Sequence, residues 1–367
     1  MKMSRATLTF VFVAIVFSGL SLFAPERAAG EFLYAPEGNR LHVIDLEQAA
    51  AGVTSASVLI ESAASDPVDG RDINGMVCAL PDGSGAFVAG EDTGQPDRPA
   101  GWGVFSAQGE QVGKLVARAG SQVPEPHGCA FNAEGHLLTT EVGDPGFGAS
   151  NGQLILWFPP YKGLGPSRYC KLAGDIGTAG GLAIDGQGRV YVASSSGREI
   201  LRFSPPFPSG PDAAGGCGEV DAYGDPMADA VQREKFAGAH WWRGLITYSG
   251  LAFAANGHLY ASSVLTGRIG EFSPRGELVR MIVEPDTWIP PHTTGTPQGL
   301  AVAANGDLYY ADLDIVWENW MPGPGENGRL WRVRFDESGE PQTPEVLLEA
   351  LAFPDGLGIL PGSGVAD

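Results

Sequence analysis

Six positions of the 367-residue sequence share one feature: each stands immediately before a glycine in an apolar, β-rich run. They are Asn74, His127, Gly180, Ser249, Gln298 and Asp355. Four of these side chains are good metal ligands. Carboxylate and carboxamide oxygens suit the hard cations Ca²⁺ and Mg²⁺, and an imidazole extends the range to Zn²⁺ and Mn²⁺. The expected divalent-cation set is therefore Asp355, Asn74, His127 and Gln298, against the competing expectation of a hydrated polar channel without an ion. A second set of polar residues closes runs further on: Glu91-Asp92, Glu141 with Asp144, Ser194-Ser195, Ser262-Ser263, and Asp312 with Asp314. Asp92 and Asp312 fit strand-end caps of their own loops. Glu141 does not, and is read with His127 as a catalytic candidate: a carboxylate or imidazole that takes a proton from water, or a further ligand.

Three long connections carry aromatic and imidazole groups. Tyr223 to Ser249 holds Phe236, His240, Trp241 and Trp242; Glu284 to Gln298 holds Trp288 and His292; Leu313 to Asn327 holds Trp317 and Trp320. Long aromatic loops on one face of a rigid scaffold build binding sites, so these are the expected substrate contacts. The alternative is that they pack the loops down. No Ser-His-Asp order, P-loop or dinucleotide motif stands in a strand-to-helix context.

Residues so far apart in sequence need a scaffold that gathers them. Gly181 to Phe203 reads as three successive strands with Gly-rich turns. Copies begin at Gly75, Gly128, Gly250 and Gly299, and a degenerate copy surrounds Gly356, so the gaps are 53, 53, 69, 49 and 57. Such a period with several short strands per unit indicates propeller blades. Third strands are read at 40–45, 102–106, 153–158, 199–203, 268–272 and 329–335, and fourth strands at SVLIES, KLVARA, RYCKLA, EVDAY, LVRMIV and EVLLEA. The last copy has only its first strand, and the N-terminal segment from Phe32 supplies the other three. The expected fold is all-β: a six-bladed propeller over residues 30–367, four antiparallel strands per blade, the two chain ends sharing one blade so that no sheet edge is left open. Turns between first and second strands are minimal and lie on the far face, so the longer connections on the other face are expected to carry the site.

Residues 1–29 read as a signal peptide: Lys2 and Arg5, then an uncharged run from Ala6 to Phe23, then Ala28-Ala29. An uncleaved anchor is the alternative. The chain is thus expected to be periplasmic or secreted. A formal charge of −20 without a Lys/Arg cluster argues against nucleic acid and anionic membrane surfaces. The expected partner is a small molecule, and the expected state a monomer. Of four cysteines, Cys170 and Cys217 fall in loop-rich outer regions and are expected to form a disulfide. Cys78 and Cys129 replace apolar residues on inner strands and read as buried small hydrophobes.

The GLAxxxxGxLYxA unit, covering nearly all of the chain after residue 29, resembles the six-bladed NHL-type propellers and the gluconolactonase, senescence-marker (SMP-30) and luciferin-regenerating superfamily. In the lactonase branch, Glu, Asn and Asp before inner strands hold a divalent ion, and the Asp lies in Pro-Asp-Gly. Phe353-Pro354-Asp355-Gly356 matches that motif, and Ile73-Asn74-Gly75 resembles the family's Asn-Gly. The early Gly-Glu-x-Pro has no match, and His127 and Gln298 stand where the family has other groups. The resemblance implies metal-assisted hydrolysis of lactones or related esters, with Asp355 and Asn74 as ligands and His127 as ligand or base. Two further functions fit the same ring: a non-catalytic periplasmic propeller binding a small molecule or a protein, and a metal-dependent lyase of the streptogramin-lyase kind, in which His127, His240 and His292 approach one another.

Overall fold

The computed structural model describes residues 30–61, 72–92, 101–117, 125–143, 151–163, 165–222, 224–238, 246–287, 292–318, 321–325 and 327–362. They form six four-stranded antiparallel blades around one axis, with almost no helix. From innermost to outermost strand, the first blade is Gly358–Pro361, Glu31–Glu37, Arg40–Asp45 and Ala56–Glu61. The second is Asp72–Ala79, Phe87–Asp92, Gly101–Phe105 and Gln111–Leu115, and the third Pro126–Phe131, Leu137–Glu141, Gln153–Phe158 and Arg168–Ala173. The fourth is Ala179–Ile184, Val190–Ser194, Glu199–Ser204 and Gln232–Gly238. The fifth is Tyr248–Phe253, Leu259–Ser263, Arg268–Phe272 and Leu278–Val283, and the sixth Pro297–Val302, Leu308–Asp312, Gly328–Val333 and Glu345–Leu351. The C-terminal strand pairs with the N-terminal one from Glu31↔Pro361 to Tyr34↔Gly358.

Alternation along each strand puts apolar side chains between blades, where clusters such as Leu154, Leu156, Leu182, Val192 and Phe203 fill the seams. The recurring glycine has a separate job. Inner strands two to six each break register around it, between Asn74 and Val77, Pro126 and Cys129, Ala179 and Leu182, Tyr248 and Leu251, and Pro297 and Leu300. This β-bulge lifts His127, Gly180, Ser249 and Gln298 out of the ladder, whereas Asn74 stays paired with Gly90. The glycines also touch around the ring. A Cβ on Gly75 would lie 2.5 Å from the His127 carbonyl oxygen, one on Gly250 2.1 Å from that of Gln298, and one on Gly356 1.6 Å from that of Gly75. Only glycine allows inner strands to approach this closely.

The bulge frees a backbone N–H, and a hydroxyl on the second strand takes it. Gly128 N donates to Thr140 Oγ1 at 2.8 Å, and Thr140 in turn donates to the Gly180 carbonyl of the next blade. Gly250 N donates to Ser262 Oγ at 2.7 Å, which donates to the Gln298 carbonyl at 2.8 Å. Asp355 does the same across the first and second blades, its Oδ1 accepting from Gly75 N at 2.8 Å.

Two expectations are corrected. EVDAY is not the outer strand of the fourth blade: Glu219–Val220 pairs with Pro226–Met227, which joins the edge of the third blade through Lys171. The outer strand is Gln232–Gly238, whose first four residues are exposed. Cys78 and Cys129 are not isolated hydrophobes but a disulfide between neighbouring inner strands, with Cα atoms 6.1 Å apart. Cys170 and Cys217 form the second disulfide. It ties the 205–231 insertion to the third blade, beside a buried network in which Lys171 bonds Asp221 and Asp225, and Tyr169 donates to Asp225 at 2.5 Å.

A candidate binding cavity at one mouth of the axial channel

The lifted residues meet at the axis. His127 and Gln298 stand on the third and sixth blades, opposite one another, and His127 Nε2 lies 2.5 Å from the Gln298 carboxamide nitrogen. This pair bars the channel. Above it opens a cavity of about 550 Å³, lined by His127, Gly180, Ser249 and Gln298 of the lifted ring and by residues of the surrounding connections. Gly180 brings no side chain, and a Cβ there would come within 2.9 Å of the Ser249 carbonyl oxygen. The cavity thus deepens on the side of the fourth and fifth blades. Asn74 and Asp355 stand on the other side of the bar and do not line it.

His127 is 3% exposed, and burial lowers its pKa to about 4, so the ring is neutral at physiological pH. A neutral imidazole has one donor and one acceptor nitrogen. With Nε2 accepting from Gln298, Nδ1 carries the proton, and this buried N–H has no partner. Asn74 Oδ1 is likewise buried without a partner. Unsatisfied buried polar atoms are rare enough in folded proteins to need an explanation, and a ligand is one.

The remaining wall is mixed. Thr178, Ser195, Ser196 and Thr247 supply hydroxyls; Val142, Val264, Leu265, Leu313, Ile315 and Phe353 supply apolar surface; Glu125 and Arg198 are the charged members. Val264, Leu265 and Leu313 form a small cluster of their own against Ile315. Several hydroxyls are already committed. Ser195 donates to the Tyr248 carbonyl, Ser196 Oγ accepts from Thr178 N at 2.9 Å, and Thr247 Oγ1 accepts from Leu265 N at 3.1 Å.

The other sequence candidates separate. Glu141 lies behind the wall, 4% exposed, where Oε1 accepts from Trp102 Nε1 at 3.1 Å. Burial is the main cause that raises its pKa to about 8, with a smaller contribution from the charge of Glu125. His292 packs its loop, with Thr287 Oγ1 3.2 Å from Nδ1 and the Leu265 carbonyl 3.2 Å from Nε2, and it does not line the cavity. Asp312 caps its own loop as expected, accepting from Thr296 N at 2.7 Å and Asp314 N at 3.0 Å. His240, Trp241, Trp242 and Trp288 lie outside the described residues, as do Asp144, Trp320 and the side chains of Asp92 and Trp317. Trp317 itself sits in a short strand, Ile315–Glu318, paired with Met321–Pro324. Among the described residues, no group of three or more His, Cys, Asp or Glu side chains is placed to hold a metal ion.

Sequence reasoning missed Arg198, Phe353 and the Val264-Leu265 and Leu313-Ile315 walls. Their signal was positional: each lies in a connection on the mouth side, either just after a second strand or just before Asp355.

The ring of strands and its axial cavity define a six-bladed β-propeller. Among solved structures, the chain is similar to the nidogen/laminin complex (TM-score 0.55, 13% identity, covering 90% of this chain and 98% of that one). It is also similar to a luciferin-regenerating enzyme (0.52, 13%, covering 90% and 96%) and to a streptogramin B lyase (0.50, 11%, covering 90% and 88%). No protein-family model matches the sequence, and comparison with curated proteins finds none similar to it. At such identities the likeness establishes the fold alone.

Proposed function

We propose that this is an exported propeller that binds a small organic molecule in the mouth cavity above the His127–Gln298 bar. One observation carries the reading: a neutral, buried imidazole on the cavity floor whose Nδ1–H has no partner. A ligand carbonyl or carboxylate oxygen would complete it. The cavity is of the size and mixed polarity usual for small-molecule sites. Export is supported by two disulfides that use all four cysteines, because such bonds persist in oxidising compartments. Among the described residues, no helix is long and apolar enough to cross a membrane.

A second reading is the metal-dependent hydrolysis of lactones, and Asn74 favours it. Its orphaned Oδ1, with Asp355 and, in the other tautomer, His127 Nδ1, would hold a divalent cation beside Gln298. Such an ion would supply a Lewis acid to a lactone carbonyl. Against it stands the single carboxylate in the set, already accepting from Gly75 N. Elemental analysis of the purified protein, followed by a lactone and aryl-ester panel with and without chelator, separates the two. Saturable ligand binding with no ion and no turnover supports the first reading. A stoichiometric ion lost in Asp355→Ala, together with chelator-sensitive hydrolysis, supports the second.

A further inference from the structure

The mouth cavity carries one more piece of information: the charge of what it holds. Acidic residues outnumber basic ones by 43 to 23 in this chain. Most described arginines accordingly have found an acid: Arg40 with Glu61, Arg189 with Asp185, Arg202 with Glu234, Arg280 with Glu271, and Arg332 with Glu345. Arg198 has not. Its guanidinium forms no ion pair or hydrogen bond among the described residues, although it stands on the cavity wall with Glu125 in the same lining. The backbone that presents it is unusual, with φ +54° in the turn that follows the second strand of the fourth blade. Phe353, also on the wall, has φ +56° and is 37% exposed. Left-handed backbone in large L-residues is costly, and such residues concentrate at binding sites where the surroundings enforce them. Two of the five described non-glycine residues with positive φ line this one cavity.

We infer that the ligand is an amphipathic organic anion, a carboxylate held by Arg198 with its apolar body against Leu265, Leu313, Ile315 and Phe353. The inference rests on the mouth cavity being the binding site, as proposed above. An arginine fork matches a carboxylate in two parallel hydrogen bonds, which a neutral amide cannot reproduce. A cationic ligand would face Arg198, with Glu125 the one acid in the lining to offset it.

The test uses the purified full chain and three probes that differ only in the head group: 4-phenylbutyrate, 4-phenylbutyramide and 4-phenylbutylamine. Isothermal titration of the wild type is expected to show the carboxylate binding about tenfold or more tighter than the amide, and the amine weakest. Arg198→Gln is expected to bring the carboxylate down to the amide and leave the amide unchanged; Arg198→Lys is expected to keep part of the preference. The preference should also shrink as salt is raised. Arg198 is exposed, so neither variant should disturb the melting temperature. Equal binding of carboxylate and amide, or a preference that survives Arg198→Gln, would overturn the inference while leaving the cavity as the site. If no probe binds at millimolar concentration, the cavity reading itself fails, and the inference with it.

Discussion

The two ends of the axial channel are built from the same six strands and finish chemically opposite. On the mouth side, the residues before the glycines are Asn74, His127, Ser249, Gln298 and Asp355, with no side chain at Gly180. After the glycines, Val77, Ala79, Ala130, Phe131, Leu182, Ala252, Leu300 and Ile359 line a second cavity of about 350 Å³ whose side chains are apolar. The far end is ringed by tight turns and cross-linked by Cys78–Cys129; the mouth is ringed by longer connections. The difference shows how one repeat divides its labour at a glycine. Residues after the glycine hold the ring together, whereas residues before it are free to vary and carry the site.

That division is best broken at the glycines themselves. Gly356→Ala forces a Cβ to within 1.6 Å of the Gly75 carbonyl oxygen, and is expected to cost about 4 kcal/mol or more and to abolish soluble folded protein. Gly257→Ala, in a far-face turn with open space around it, should cost only about 1–2 kcal/mol for its positive φ. Denaturant melts of both decide whether close approach, not turn geometry, fixes the ring. Removing the far-end disulfide as Cys78→Ala/Cys129→Ala should cost about 3–4 kcal/mol. Probe affinity at the mouth should stay the same, because the cross-link lies beyond the bar.

Protonation sharpens the contrast further. Glu141 is held protonated by burial, so its contribution to stability is full below the ordinary carboxylate pKa of 4.5 and is lost as pH rises through about 8. Glu141→Gln keeps an acceptor for Trp102 and should therefore gain on the wild type between pH 5 and 8, by at most about 1.4 kcal/mol per pH unit. His127 runs the other way: its neutral form contributes fully above pH 6.5 and loses that contribution as pH falls through about 4. The smallest effect is expected from His127→Phe, which should weaken 4-phenylbutyrate binding about tenfold while stability stays close to wild type above pH 6.5.

The blades were legible because inner strands bury both faces and repeat a glycine that sterics demand. The segments Gln153–Phe158, Arg168–Ala173, Arg268–Phe272 and Leu278–Val283 match their expected spans. The outer strand of the fourth blade was not legible. An outermost strand buries little, so QREKFAG opens with four exposed polar residues and shows no alternation, while Glu219–Val220 is a real two-residue strand that belongs to the edge of the third blade. The Cys78–Cys129 bond joins residues 51 apart and needs adjacent blades to bring them together, which local sequence does not express. The residues before the glycines could be listed from the repeat alone, but their partition by the His127–Gln298 bar depends on side-chain reach across the axis. Arg198 and Phe353 were invisible because left-handed backbone at a non-glycine residue leaves no compositional mark.

The central claim is that the mouth cavity, and not the far end, holds the ligand. Its most direct test is titration of 4-phenylbutyrate into Ser249→Phe, which fills the cavity above the bar, beside Ala301→Phe, which fills the apolar end, each checked for a cooperative melt. Loss of binding in the first with retention in the second is the result expected. Binding that survives Ser249→Phe and vanishes in a folded Ala301→Phe protein would contradict it.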